Sequence, residues 1–371
     1  MFPIPESHDA VAVDQLGSSM TDVHGDHARA ASPGADTPGR DEPFITSWFL
    51  LQTRYCMHLT QLATAAWLEA TGWGGTIHGG MSRPVLDVAG RVVLITGAAR
   101  GIGLDSARRL AARGARIALL DVDGVEAERA AALLGPAAVA YQVDVTDAAG
   151  LLAVVQSVVE HLGGIDVVIA NAGIEPPAAT MLSVDKSEFD RVLDVNLHGV
   201  WNTVKAALPH VVERQGHVLL VSSIYAFMNG SMVASYAMSK AAVEQLGRAL
   251  RTELAPHGAT AGVAYFSFID TDLVRRAFAS EALASARRVL PAWVTCPIEV
   301  ERAGEAIARG VERRAAQVTV PEWVAPVMLR RGMMAKLDGA LSHNRHLREA
   351  IRIAEAPRDA AEVAPSGPPQ Q

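Results

Sequence analysis

The chain has 371 residues, of which 50% are hydrophobic and 20% charged, with a formal net charge of -7. That is enough for one large α/β domain with extensions or for two domains, and the acidic balance without a long basic run argues against a nucleic-acid partner. Two cysteines, Cys56 and Cys296, sit in no motif and so give no disulfide framework and no metal site. No uninterrupted apolar run approaches the roughly 18 residues of a membrane span. The first residues, MFPIPESHDA, lack the basic and apolar regions of a secretory signal, so the expectation is a reducing, cytoplasmic setting.

In chain order, residues 1–43 are rich in Asp, His, Gly, Ser, Ala and Pro and read as disordered. Between Phe44 and Ala66, apolar residues recur at spacings of three and four (Phe44, Trp48, Leu51, Tyr55, Leu59, Leu62, Ala66). This predicts an amphipathic helix, an N-terminal helical extension that packs on the main domain or on a second subunit. A helix lying in a membrane surface is the competing reading, and Arg54 is its only basic support. Gly72–Pro84 then reads as a Gly-rich linker, and the helix and linker together are assigned to residues 44–80. From Val85 onward strands and helices alternate, the pattern of a doubly wound parallel sheet. Strands are expected at Val92–Ile95, Arg116–Asp121, Val139–Asp144, Ile165–Ala170, His217–Ser223, Ala261–Phe268 and Gln317–Val320, about seven in all. Helices are expected at Leu104–Ala112, Val125–Leu134, Ala148–Leu162, Phe189–Leu208, Ser235–Leu254 and Val300–Arg313, with an irregular stretch before the last of these. The main domain then spans 81–325. Residues 326–371 read as a partly helical extension and a disordered tail from Pro357.

The turn after the first strand carries the strongest pattern. Thr96 and Gly97 break the apolar run, and Gly101 and Gly103 open the following helix. Strand, glycine turn and helix together let backbone N–H groups approach a pyrophosphate at a helix N-terminus, although an ordinary βα connection has the same outline. Further motifs follow in a fixed order. They are Asp144, then Asn171-Ala172-Gly173, then Asn196, Ser223, and Tyr236 with Lys240. Over roughly Val88–Val320 the chain resembles a short-chain dehydrogenase/reductase, with a Rossmann-like doubly wound sheet. The resemblance implies that Gly97, Arg100, Gly101, Ile102 and Gly103 form the cofactor turn. It implies that Asp144 and Val145 lie on the adenine side, and that Asn171, Ala172 and Gly173 support the sheet. Asn196, Ser223, Tyr236 and Lys240 match the catalytic tetrad, with Tyr236 and Lys240 also touching cofactor.

The chemistry of that tetrad has its own logic. Tyr236 and Lys240 are four apart and share one face of a helix. A phenol titrates near 10, too high for a base at neutral pH. A nearby ammonium and the positive nicotinamide ring favour phenolate, so the expectation is a lowered Tyr236 pKa and a role as general acid/base. Ser223 is expected to bond the substrate oxygen, with Ser222 as the competing serine; the resemblance, through the family's serine-to-tyrosine spacing, implies Ser223. The resemblance implies that Asn196 holds a water linking Lys240 to solvent.

Asp121 ends the second strand, where a carboxylate receives ribose hydroxyls and repels a 2′-phosphate. With Asp123 beside it and only Arg100 opposing, NAD is expected over NADP. Asp121 as a helix N-cap is the structural alternative. After the sixth strand the family usually has Pro-Gly, whereas this chain has Phe266-Ser267. Ile269 and Thr271 still match the positions that hold the nicotinamide carboxamide. Tyr225, Phe227, Met228, Met232, Phe266, Phe268 and Phe278 suggest an apolar pocket for a small hydrophobic alcohol or ketone, with core packing as the alternative. The resemblance also implies a homo-oligomer, tetramer or dimer, built on the Tyr236 helix (Ala241, Ala242, Leu246, Ala249, Leu250) and the long helix before it. An NAD-binding regulatory or scaffold protein, with a membrane- or partner-binding N-terminal helix, is the alternative class, against which the intact tetrad stands.

Overall fold

A computed structural model describes residues 85–356, all within the compact unit Ser82–Gln371. The expectations for residues 1–43, for the 44–80 helix and linker, and for the tail from Pro357 lie outside the described residues.

The β-branched and aliphatic runs form seven strands: β1 (Val92–Thr96), β2 (Arg116–Asp121), β3 (Ala138–Gln142), β4 (Val167–Ala170), β5 (His217–Val221), β6 (Thr260–Phe266) and β7 (Gln317–Val320). They pair in the order β3-β2-β1-β4-β5-β6-β7, every neighbouring pair parallel. Parallel neighbours require crossovers, and helices supply them. These are α1 (Gly101–Ala112), α2 (Gly124–Leu134), α3 (Ala148–Leu162), α4 (Lys186–Leu193), α5 (Gly199–Glu213), α6 (Ala234–Glu253), α7 (Asp272–Ala279), α8 (Glu281–Arg287), α9 (Ala292–Thr295) and α10 (Val300–Glu312). Three more follow β7: α11 (Val324–Leu329), α12 (Arg331–Leu341) and α13 (Arg345–Glu355).

Strand alternation divides the core into two layers. Val93, Ile95, Ile117, Leu119, Val167 and Ile169 face α1 and α10 through Leu110, Ala303 and Ile307. Val92, Leu94, Ala118, Leu120, Val168 and Ala170 face α3, α5 and α6 through Val155, Val204 and Val243. Both faces of β1 are therefore buried, which is why its sequence is apolar without interruption.

Two regions depart from the sequence expectation. The long helix expected at Phe189–Leu208 is two helices, α4 and α5, joined through one π-helical turn at Asp194–His198. The stretch expected to be irregular holds α7, α8 and α9. In α7, Leu273, Val274, Ala277 and Phe278 share one face at helical spacing.

The C-terminal helices belong to the same unit. Leu347, Ala350 and Ala354 of α13 pack with Ala282, Leu283 and Ala286 of α8. Ser183 Oγ donates to the Ala354 carbonyl at 2.9 Å and Thr180 Oγ1 to Glu355 Oε1 at 2.9 Å. Arg331 at the start of α12 pairs with the buried Glu244 of α6 at 2.5 Å.

Candidate active site

The sheet order reverses between β1 and β4, and in an open parallel sheet the crevice beyond the carboxyl ends at such a point is where ligands bind. Here the two strand ends are tied together. Thr96 Oγ1 accepts from the Asn171 N–H at 3.1 Å and the Ala172 N–H at 3.2 Å. The Asn171 amide donates to the carbonyls of Thr96 and Gly97 at 3.0 and 2.9 Å. The glycine turn is thus held by Asn171 as well as by its own geometry.

Close approach explains the glycines. Gly97 has φ +64° and Gly101 φ +57°, left-handed values that disfavour other residues. A Cβ on Gly103 would lie 2.3 Å from the Gly97 carbonyl oxygen, so no side chain fits there. The first turn of α1 has no side-chain cap, unlike α2 and α3, whose N-termini are capped by Asp123 and Asp147. Its N–H groups, with the Ile102 and Gly103 backbone, remain available to an anion. Thr271, which caps α7, is the near neighbour of Gly101, its Cγ2 lying 3.4 Å from where a Gly101 Cβ would be. Ile269 is buried and pairs with Ile298 beside it.

At the end of β2, Asp121 Oδ2 accepts from the Ala99 N–H at 3.0 Å and Oδ1 from the Asp123 N–H at 3.1 Å. The cap of α2 is Asp123, whose Oδ1 accepts from the Glu126 N–H at 3.1 Å, so the N-cap alternative for Asp121 is replaced. Arg100 is ion-paired with Asp123. Asp144 closes a turn by accepting from the Thr146 N–H at 2.9 Å, and Val145 is packed against the start of α5, its carbonyl accepting from Asn202 at 3.0 Å.

The four tetrad positions converge at the ends of β4, β5 and α6. Asn196 is fully buried in the π-helical turn. Its Oδ1 accepts from the Ile174 N–H at 2.7 Å, while its Nδ2 donates to the Ile174 carbonyl at 2.8 Å and to Ser239 Oγ at 3.4 Å. Both amide hydrogens are therefore committed to protein, and the side chain clamps the loop after Gly173. Asn196 makes these bonds from within the π-turn, a local widening common at functional sites. Gly173 lies between Asn196 and Lys240, a Cβ there falling 3.2 Å from Asn196 Oδ1 and 3.4 Å from Lys240 Nζ.

Lys240 Nζ lies 5.5 Å from the centre of the Tyr236 ring and donates to the Val221 carbonyl at 3.0 Å. Ser223 lines the same cavity as Tyr236, whereas Ser222 Oγ turns inward and donates to the Lys240 carbonyl at 2.8 Å. Burial lowers the Lys240 ammonium to about 8. The Tyr236 phenol is raised above its ordinary 10.0 by burial and by the charge of Glu175, with the Ser223 hydrogen bond opposing. In the chain alone the phenol is therefore raised rather than lowered, because desolvation and the Glu175 charge outweigh the opposing effect of Ser223.

Glu175 was not singled out from sequence. It lines the same cavity as Tyr225 and Tyr236, and burial pushes its carboxyl up to about 7, with Arg276 pulling the other way. The cavity measures about 220 Å³. Tyr225, Met228, Met232, Phe268 and Phe278 line it, as expected of a pocket. Phe227 instead packs on Tyr265 at 6.2 Å, and Phe266 is 4% exposed in the core. Ser267, in the Phe266-Ser267 pair that stands where the family usually has Pro-Gly, puts a buried hydroxyl with no partner among the described residues at the cavity wall. Met334, Leu341 and Leu347 of α12 and α13 complete the lining. A larger concavity of about 640 Å³ lies over α1, α10 and β7, and Arg109, Arg113 and Arg309 there pair with Glu305. It contains none of the tetrad.

Residues 91–282 match the family described as short chain dehydrogenase. The chain is 34% identical to (-)-trans-carveol dehydrogenase of Rhodococcus erythropolis over 205 residues, 51% of this chain and 74% of that one. It is 38% identical to galactitol 2-dehydrogenase of Agrobacterium fabrum over 170 residues, 45% of this chain and 66% of that one. Carveol dehydrogenase from Mycobacterium avium, solved in complex with NAD, superposes with a TM-score of 0.56 at 28% identity, covering 63% of this chain and 97% of that one. The glycine turn, the parallel sheet and these matches together show that the chain belongs to the short-chain dehydrogenase family, oxidoreductases acting on CH–OH groups.

Proposed function

We propose that the protein interconverts a hydrophobic secondary alcohol and its ketone, with NAD as the preferred cofactor and Tyr236 as the general acid/base. The observation that carries this reading is that Tyr236 and Ser223 share the wall of an apolar cavity, with Lys240 one helical turn along and its Nζ 5.5 Å from the Tyr236 ring. The residues fit a dinucleotide. The Gly97–Gly103 cradle excludes a Cβ, and among the described residues the α1 N-terminus has no side-chain cap and the buried Ser267 hydroxyl no partner. The turn residues Gly97, Arg100, Gly101, Ile102 and Gly103 would hold the pyrophosphate, Asp121 the ribose, and Asp144 and Val145 the adenine side. Asn171, Ala172 and Gly173 would back the nicotinamide end, with Ile269 and Thr271 at its carboxamide.

When bound, NAD supplies the hydride acceptor, and the protein supplies position and proton transfer. In the oxidation direction Ser223 orients the substrate hydroxyl, and Tyr236 Oη takes its proton as the carbonyl forms. In reduction Tyr236 returns that proton. Lys240, held against the Val221 carbonyl, keeps a positive charge near the phenol below about pH 8. Asn196 fixes the loop that frames this ammonium.

NAD preference is supported by the placement of Asp121 and by Arg100, which Asp123 neutralises. Asp121→Ala is expected to weaken NAD binding while leaving NADP binding within about threefold, a difference of well under 1 kcal/mol. An unchanged ratio of dissociation constants would contradict the assignment. A homo-oligomer is supported by Trp201 on α5 and Met238 on α6, 52% and 54% exposed. A cytoplasmic setting remains the reading from composition.

The function itself is tested by incubating the full chain with a panel of secondary alcohols and either cofactor, following the absorbance of reduced cofactor. NAD-dependent reduction with apolar alcohols supports the reading. No turnover of any alcohol with either cofactor contradicts it.

A further inference from the structure

The cavity is apolar along most of its wall, and its aromatic side chains form a row leading away from the reacting end. The Tyr236 and Tyr225 ring centres are 5.9 Å apart, Tyr225 and Phe268 6.4 Å, and Phe268 and Phe278 5.2 Å. Beyond the last ring stands a cation, with Arg287 Cζ 3.6 Å from the centre of Phe278. All five side chains line the same cavity.

Arg287 is poorly satisfied for a guanidinium in such a wall. Its Nη2 reaches the Thr295 carbonyl at a long 3.5 Å, and its Nε is buried with no hydrogen-bond partner among the described residues. No carboxylate among them pairs with it. The cavity has two acids, Glu175 and Asp338. Glu175 acts on Tyr225 and Tyr236, at the other end of the aromatic row, and Asp338 is exposed. A guanidinium stays charged under all ordinary conditions and presents a planar fork of donors that matches a carboxylate.

Resting on the alcohol–ketone reading above, we propose that Arg287 is an anion-recognition residue. The substrate is then an elongated apolar alcohol or ketone whose distal end carries a carboxylate. The aromatic row holds the apolar body, and the guanidinium pairs with the carboxylate while Tyr236 meets the carbinol. Such a pair also gives the orphaned Nε a partner.

The test uses the full chain with NADH present and compares binding of octanoate, 1-octanol and octylammonium by calorimetry. The parent is expected to bind octanoate at least about tenfold more tightly than 1-octanol. Arg287→Met, which keeps the apolar bulk, is expected to abolish that preference and leave 1-octanol binding unchanged. Arg287→Lys is expected to restore part of it. Equal binding of octanoate and 1-octanol by the parent would overturn the proposal, as would preference for octylammonium. So would equal weakening of both ligands by Arg287→Met, which would mark Arg287 as a structural tie between α8 and α9. Turnover of 7-hydroxyoctanoate and 2-octanol is measured alongside. If neither reacts with either cofactor, the alcohol–ketone reading fails, while the octanoate comparison still decides the role of Arg287.

Discussion

Burial acts in opposite senses on the two ionisable side chains beside β5. It raises the Tyr236 phenol and lowers the Lys240 ammonium to about 8, because each charged form loses water that the protein does not fully replace. Glu175 feels the same effect, its carboxyl rising from an ordinary 4.5 to about 7. A carboxyl whose folded pKa exceeds its unfolded one stabilises the fold fully below pH 4.5, and this contribution is lost as pH rises through 7. Glu175→Gln removes that loss. The variant is expected to match the parent near pH 4.5 and to melt higher above pH 7, by on the order of 5–10 °C. Melting curves at both pH values check this, and a gap independent of pH would contradict the burial assigned to Glu175. The Tyr236–Lys240 pair is legible in sequence because helical period alone puts residues four apart on one face. Ser223 is separable from Ser222 in sequence only through the resemblance, whose serine-to-tyrosine spacing points to Ser223; Ser222 instead donates to the Lys240 carbonyl. Glu175 and Arg287 carry no such mark. A glutamate after a loop and an arginine in an amphipathic stretch look solvated until the chain closes over them.

Elements are legible to the extent that their periodicity is strong. The seven strands read directly because both faces of most are buried. The break between α4 and α5 does not, since the bonds that Asn196 makes in the π-turn go to Ile174, in another part of the chain. The packing of α1 on α10 depends on a single small residue. A Cβ on Gly304 would lie 2.0 Å from Asp105 Oδ2, an oxygen that accepts from Arg109 at 2.6 Å. Arg109 and Arg113 in turn hold Glu305 at 2.9 Å, so the helices meet through ion pairs around that contact. Gly304→Ala forces Asp105 off its partner and is expected to destabilise the protein by about 1–3 kcal/mol. Chemical denaturation measures it. A change below about 0.5 kcal/mol would show that the two helices simply separate at no cost.

At the scale of the molecule, one sheet fixes the geometry of the cofactor turn and the tetrad, while the C-terminal helices finish the pocket. Sequence composition treats residues after 325 as an extension, yet α12 and α13 contribute Met334, Leu341 and Leu347 to the cavity. The hint was the spacing of Leu347, Ala350, Ile351 and Ala354 along one helix face. The surface of α5 and α6 bears on assembly. Leu250, expected at an interface, is 4% exposed and belongs to the core, whereas Trp201 and Met238 stand out at 52% and 54%. A homo-oligomer at micromolar concentration is expected by light scattering. Trp201→Glu should weaken it by roughly 30-fold, about 2 kcal/mol, as loss of a buried aromatic anchor does. A parent that is monomeric at that concentration would contradict this.

The central claim is that Tyr236 transfers the proton, and Tyr236→Phe tests it most directly because the change removes one oxygen and keeps the ring. With any alcohol that the parent oxidises, the variant is expected to lose about 10²–10⁴-fold in kcat. Its dissociation constant for NAD, measured by fluorescence or calorimetry, should stay within about threefold of the parent's. Turnover within a few-fold of the parent, with NAD binding intact, would contradict the account.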